Sequence, residues 1–285
     1  MGFVINNNLA ANNTYRSLNN TQSDLSKSLE KLSTGLRINR AADDAAGLSI
    51  SEGLKAQVTG SAVASRNAQD GISVIQTTEG ALTEVHSILQ RMRDLAVQGS
   101  SDTTAGSAKT AIKGEGDSLG QELDRLIKGT NFNGIQLLDG TATGAVAGTI
   151  AIQVGTGGTA NDTINVKLSN TGTSVGNLAG AAAASDFDVS TNLLAQGTIG
   201  KIDTAIAAVS AQRADLGATQ NRLEHTIKSL NVAGENLQAA QSRIADVDMA
   251  QEMVKFTKAN ILSQAGTAML AQANQSSQGV LSLLR

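Results

Sequence analysis

The stretch Leu18-Asn-Asn-Thr-Gln-Ser-Asp-Leu25-Ser-Lys-Ser-Leu29-Glu-Lys-Leu32-Ser-Thr-Gly-Leu36 decides the fold. Its leucines are separated by seven, four, three and four residues, which stacks them along one side of a helix. The C-terminus carries a second stripe, Ile244, Val247, Val254, Ile261 and Ala268, stepping by three and then by sevens. A helix with one apolar seam cannot bury it alone, so the two ends are expected to pair with each other or with copies of the chain. The pattern speaks of assembly rather than catalysis.

Composition points the same way. At 285 residues the chain suffices for one large or two modest domains, yet only 2% of it is aromatic. A compact enzyme packs several aromatic rings around its core and pocket, whereas thin helical bundles fill with Leu, Ile, Val and Ala. A net charge of -3 gives no basic footprint for nucleic acid, and no basic run suits anionic lipid. Neither nucleic-acid binding nor membrane insertion is expected.

Cys and Pro are both absent. Disulfides and thiolate metal sites are thereby excluded, and so are slow prolyl isomerisation and proline helix breaks. The first positive residue is Arg16, with no continuous apolar run of signal-peptide length after it and no stretch long enough to span a membrane. By that criterion alone the chain reads as cytoplasmic.

Along the chain, residues 1 to about 34 read as a first helix ending near Ser33-Thr34-Gly35. Asn39, Asp43 and Asp44 are capping candidates for a second, whose seam runs through Leu54, Val58, Ala68, Ile72, Ile75, Leu82, Val85, Leu89, Met92 and Ala96 to about Gln98. After a turn at 99–106, Ile112, Leu119, Leu123 and Leu126 mark a shorter helix folding back on the long one. Asn133-Gly134 signals a turn before a short strand at Ile135–Leu138, and 149–154 with 163–168 alternate as a β-hairpin. Helical spacing returns at Ile199, Ile202, Ile206, Val209, Leu216, Leu223, Ile227, Leu230 and Leu237, flowing into the C-terminal stripe. The expected fold is mainly α: a long antiparallel helical bundle or coiled coil formed by both chain ends, with a small β-hairpin region in the central insertion.

No constellation suggests an enzyme. Gly155 to Gly158 lacks the Lys-Ser/Thr of a phosphate loop, and Gly114-Glu-Gly116-Asp-Ser-Leu-Gly120 misses dinucleotide spacing. His86 and His225 stand apart from any nucleophile or ligand set. Asp43-Asp44 and Asp246 with Asp248 read as helix-start residues rather than a cation site. No cofactor and no metal are implied.

Motifs at both ends resemble one family. Lys31-Leu-Ser-Thr-Gly-Leu-Arg-Ile-Asn39, Ala42-Asp-Asp-Ala-Ala-Gly47, Ser65-Arg-Asn-Ala-Gln-Asp-Gly-Ile72 and Gln76-Thr-Thr-Glu-Gly-Ala-Leu82 are similar to the N-terminal region of bacterial flagellin. Leu216-Gly-Ala-Thr-Gln-Asn-Arg222, Ser242-Arg-Ile-Ala-Asp246, Gln264-Ala-Gly-Thr267, Leu270-Ala-Gln-Ala-Asn274 and Val280-Leu-Ser-Leu-Leu-Arg285 resemble its C-terminal region. The resemblance covers about the first 140 and last 90 residues, in family order.

It implies a short-form subunit of the flagellar filament, without large outer domains, that self-assembles into a helical homopolymer for swimming motility. The implied organisation is a terminal-helix inner domain (1–44 plus 244–285), an outer helical bundle (45–130 plus 196–243) and a β-hairpin and loop excursion (131–195). Leu18, Leu25, Leu29, Leu32, Leu36, Val247, Val254, Ile261 and Ala268 become the polymerisation seam. Flagellins leave the cell through the organelle's own channel without a cleaved signal peptide, so the location becomes the extracellular filament. Cap, junction proteins, export chaperone and export apparatus are the implied partners. Gln90-Arg-Met-Arg-Asp-Leu-Ala-Val-Gln98 also resembles the segment that a vertebrate innate immune receptor recognises, with Gln90, Arg91, Leu95, Gln98 and Glu115 as contacts; filament contact is the plainer role for the same residues. The alternative to a filament subunit is a hook-filament junction protein or another secreted helical accessory protein or adhesin.

Overall fold

A computed structural model of the chain describes residues 8–140, 148–168, 170–175, 178 and 186–283. Its elements are α1 (Leu9–Thr34), α2 (Ala45–Gly99), α3 (Gly106–Gly129), β1 (Asn131–Phe132), β2 (Ile135–Gln136), β3 (Thr149–Gln153), β4 (Thr163–Lys167), α4 (Thr171–Val175), α5 (Asn192–Ala245) and α6 (Met249–Leu283). The fold is mainly helical with a β3–β4 hairpin, as the periodicity predicts; the strand expected at Ile135–Leu138 covers only Ile135–Gln136 and pairs with Asn131–Phe132, which was not expected. Residues 1–7 of the expected first helix, and most of the Gly/Ala/Ser-rich run at 176–185, lie outside the described residues.

Two compact units divide the chain, Met1–Val58 with Glu235–Arg285 and Thr59–Gly234. The second holds the main core. On α2 every residue of the set 61, 64, 68, 71, 75, 78, 82, 85, 89, 92, 96 and 99 is buried, a strict alternation of three and four. That is the inner seam of a coiled coil, apolar mostly, with Thr78 tolerated because its hydroxyl donates to the Val74 carbonyl at 2.7 Å. α5 answers with Ala195, Thr198, Ile202, Ala205, Val209, Gln212, Leu216 and Leu223 at the same rhythm. Ion pairs from Arg93 to Asp203 and from Arg213 to Glu79 show that α2 and α5 run antiparallel.

α3 joins this core through Ile112, Leu123 and Ile127. The β3–β4 hairpin joins through Ile152, Val154, Ile164, Val166 and Leu168, the inward half of each alternation. Asp162 closes the loop of that hairpin by accepting from the Thr159 hydroxyl at 2.7 Å and the Thr159 amide at 3.0 Å. These bonds hold its carboxyl below the usual carboxylate range. The β1–β2 turn carries Asn133 at φ 51° and Gly134 at φ 81°, the two positive angles that its two-residue hairpin requires.

Among the helices the structure departs from sequence expectation at both ends of α5. α5 begins at Asn192, ahead of the periodic run from Ile199, because the Thr191 hydroxyl accepts the Leu194 amide at 3.3 Å and supplies an N-terminal acceptor. The helix does not flow into the C-terminal stripe either. Between Ala245 and Met249 it breaks, and Asp248 starts α6 by accepting from the Ala250 and Gln251 amides at 3.0 and 3.1 Å.

Candidate assembly surface

α1 and α6 pair antiparallel within the first unit. Asn8 begins the pair twice over: its Oδ1 accepts the Ala11 amide at 3.0 Å, and its Nδ2 donates to the Ala273 carbonyl at 3.0 Å. At the other end Gly35, at φ 73°, turns the chain out of α1 while its amide still donates to the Lys31 carbonyl at 2.9 Å. Leu36 and Asp246 then bridge as extended backbone: the Arg37 amide donates to Ala245 at 2.7 Å and the Val247 amide to Gly35 at 3.0 Å. The Arg37 guanidinium adds two bonds to the Ile244 carbonyl, at 2.7 and 3.1 Å, which satisfies the end of α5. The two linkers are thus tied to each other.

Between those ends the protected residues that recur at three-four spacing are Ala11, Thr14, Leu18, Thr21, Leu25, Ser28 and Leu32 of α1 and Gly35 just beyond it; Glu30 and Lys31 are half-buried beside them. Those of α6 are Glu252, Phe256, Ala259, Ser263, Gly266, Leu270 and Ala273, at the same spacing. These are the a and d positions of a two-helix coiled coil, and most of their side chains are small or polar. Burial is correspondingly shallow. The most enclosed residues of this seam are Ser28, Glu252 and Ala259, at 7%, 5% and 8% exposure.

Glu252 is the unusual member. Its Oε1 accepts from the Ser28 hydroxyl at 2.7 Å and its Oε2 from Lys255 Nζ at 3.1 Å. Burial pushes the carboxyl up, but the bonds from Ser28 and Lys255 outweigh it and hold the group below its ordinary value.

The sequence-derived seam residues fall into two sets. Leu18, Leu25 and Leu32 lie in the pair and are half-buried, as is Val247 in the linker. Leu29 is 51% exposed and Leu36 is 36% exposed. Val254 and Ile261 are 70% and 61% exposed, and Ala268 is exposed too. In the heptad set by Glu252 and Phe256, the residues Val254, Ile261 and Ala268 take the f position, directly away from α1. Around them Met253, Val254, Thr257, Lys258, Ile261 and Leu262 line an open, largely apolar groove on α6. Met249 and Met269, 48% and 63% exposed, extend the apolar surface of the helix.

Arg91 and Glu115 meet in the second unit, with Arg91 Nη2 2.6 Å from Glu115 Oε1. Gln90 and Gln98 are exposed on α2 nearby in sequence, whereas Leu95 is 2% exposed and belongs to the core. His86 lies beside Gln90 at 2.9 Å, and His225 is exposed. Asp44 accepts the Gly47 amide at 2.8 Å, and Asp43 accepts the amides of Asn39 and Arg40 at 3.2 and 3.0 Å. Asp43, Asp44 and Asp248 hold backbone amides, whereas Asp246 Oδ2 accepts from the Ser242 hydroxyl at 2.6 Å. No group of three or more metal-ligating side chains occurs among the described residues, and no described helix is long and apolar enough to cross a membrane. The sequence marks the outward stripe of α6 but not the face that α6 turns to α1, for which the three-four spacing of Glu252, Phe256, Ala259, Ser263 and Gly266 was the available signal.

Paired terminal helices with a thin seam and a long uncovered apolar face define a helical self-assembly protein. Residues 5–143 match the bacterial flagellin N-terminal helical region and residues 199–284 the bacterial flagellin C-terminal helical region. A flagellin of Halalkalibacterium halodurans is 53% identical over 282 residues, covering 99% of this chain and 100% of that one. A flagellin of Bacillus subtilis is 49% identical over 304 residues, covering 99% of each. Among solved structures, a Vibrio parahaemolyticus protein named as flagellar hook-associated matches with a TM-score of 0.59 at 15% identity, covering 72% of this chain and 100% of that one. At that identity the likeness speaks for the fold alone. The chain belongs to the bacterial flagellin family, and its function is that of a structural subunit of the flagellar filament, serving motility.

Proposed function

We propose that this flagellin polymerises through the outward face of its α1–α6 pair, with Leu29, Val254, Ile261 and Ala268 covered by neighbouring copies. The observation that carries this reading is the 70% and 61% exposure of Val254 and Ile261 on a helix whose other side is already paired. Covering such a side chain is worth roughly 1.5–3 kcal/mol. A contact between unlike faces whose rotation does not close builds an open helical filament when it repeats.

The domain assignment follows the same reading: residues 1–44 with 244–285 form the inner, filament-lining domain. Residues 45–130 with 196–243 form the outer helical domain, which carries 131–195 as an excursion. The subunit acts outside the cell, having left through the organelle's own export channel. Export chaperone, export apparatus, cap and junction proteins are its partners on that route. The role is structural, without catalysis.

Val254→Asp and Ile261→Asp test the assembly face. Each should leave the thermal unfolding of the second unit unchanged and abolish sedimentable tubes, since a charge would be enclosed without a partner. Normal filaments from both variants by electron microscopy would overturn the proposal. Long tubes formed by the unmodified protein alone separate a filament subunit from a junction or accessory protein.

One observation favours a second activity, recognition of the monomer by a vertebrate innate immune receptor. The Arg91–Glu115 ion pair sits at the surface, with Gln90 and Gln98 exposed on the same helix as Arg91. Leu95 supports that surface from beneath.

A further inference from the structure

We infer that Ser28–Glu252 and Leu18–Gly266 hold the register of α1 on α6 within the seam, between the Asn8–Ala273 bond at one end and the bridge of the two linkers at the other. The leucines of the seam cannot do this. Leu18, Leu25 and Leu32 repeat every seven residues, so a slip of one heptad replaces each by another.

The two pairs break that degeneracy from opposite sides. In the observed register Glu252 meets the Ser28 hydroxyl at 2.7 Å, and a Cβ placed on Gly266 would lie 3.2 Å from Leu18 Cδ1. Sliding one way sets Gly35 opposite Glu252 and Leu25 opposite Gly266. The apolar contact survives, but the buried carboxylate loses its donor from α1. Sliding the other way sets Thr21 opposite Glu252 and Ala11 opposite Gly266. The hydroxyl survives, but the gap above the glycine is left unfilled. Each slip is tolerated by one pair and penalised by the other.

Lys255 does not discriminate, because it lies on α6 and moves with Glu252. A buried charge pair seldom adds stability over an apolar one of the same size, whereas a polar side chain at a seam position is a recognised device for choosing register. That accounts for a carboxylate at 5% exposure in an otherwise uncharged seam. The register in turn decides which residues of α1 stand beside the outward stripe of α6.

The chain has no cysteine, so introduced pairs report register cleanly. Gln22→Cys with Ser263→Cys reads the observed register, in which these side chains approach to 3.5 Å. Leu29→Cys with Ser263→Cys reads the slip that sets Gly35 opposite Glu252. In the full chain, assembled or as monomer with a short dithiol cross-linker, the first pair should cross-link roughly tenfold more than the second. Adding Glu252→Leu should bring the two yields to within about threefold, Ser28→Ala should shift them the same way, and Glu252→Gln should keep the original preference. An unchanged preference in both Glu252→Leu and Ser28→Ala would overturn the inference. Failure of the polymerisation reading would appear separately, as normal filaments from Ile261→Asp.

Discussion

The fully buried ring of Phe187 occupies the space in which a side chain on Gly116 would begin. Around this contact Lys113 Nζ donates to the Phe187 carbonyl at 3.1 Å and reaches both oxygens of Asp117 at 3.1 Å, pinning the segment before α5 onto α3. Two residues away Gly114 is exposed, with nothing within 4 Å of where its Cβ would be.

Gly116→Ala and Gly114→Ala should therefore have opposite signs. Alanine gains about 1 kcal/mol over glycine inside a helix, and Gly114→Ala should show that gain as a higher Tm. Gly116→Ala must displace the buried Phe187 ring, an overpacking cost of about 1–3 kcal/mol that exceeds the same gain and lowers Tm. Thermal unfolding by circular dichroism of the two variants checks the contrast.

Leu95 and Arg91 separate in the same way. Leu95→Ala opens a cavity in the main core and should cost about 2–5 kcal/mol, read from urea unfolding. Arg91→Ala breaks an exposed ion pair with Glu115 and should leave the midpoint almost unchanged. A receptor-reporter assay is therefore decided by Arg91→Ala and Gln98→Ala, whose folds are intact. Full activation by the double variant removes the immune-recognition reading.

Acid should loosen the α1–α6 pair. The Glu252 carboxyl is held below its ordinary value in the folded chain, so the unfolded state binds its proton more readily. Its contribution to stability is fully present above the ordinary glutamate range and is lost as pH falls through the lower, folded value. Asp162 and Asp188 are shifted in the same direction by hydrogen bonds from Thr159 and Ser190, so the second unit loses stability over the same acid side. Glu252→Gln should flatten the acid dependence of α1–α6 protection, measured by hydrogen exchange between neutral pH and the acid limb.

Hydrogen exchange at neutral pH should also divide the chain. The seam of α1 and α6 buries little apolar surface, while α2 and α5 bury Ile75, Leu82, Leu89, Met92, Ile202 and Leu216 almost completely. Amides of residues 9–33 and 249–275 should exchange rapidly in dilute monomer and slow on assembly, against lasting protection at 68–96. Strong protection of the terminal helices before assembly contradicts an interface completed by neighbours.

Much of this architecture was legible in the residues themselves. Three-four spacing of apolar side chains marks α2, α3 and α5, and strand alternation with Asn133-Gly134 marks the β pairs, because each depends on neighbours close in sequence. Glycine at 114 and at 116 looks alike in sequence. Their difference depends on Phe187, some seventy residues further on, and no local pattern carries it.

By itself the sequence determined that both ends are helical, that each bears an apolar stripe and that the chain is a flagellin. Only the tertiary structure decided which stripe meets which. Val254, Ile261 and Ala268 form the most regular seven-residue stripe of α6, yet the helix turns Glu252, Phe256, Ala259, Ser263 and Gly266 toward α1. Periodicity identifies a stripe, but the face a helix buries depends on the fit of two surfaces at once. Here a hydroxyl facing a carboxylate and a leucine facing a glycine set the inner side, and the greasier face is left outward.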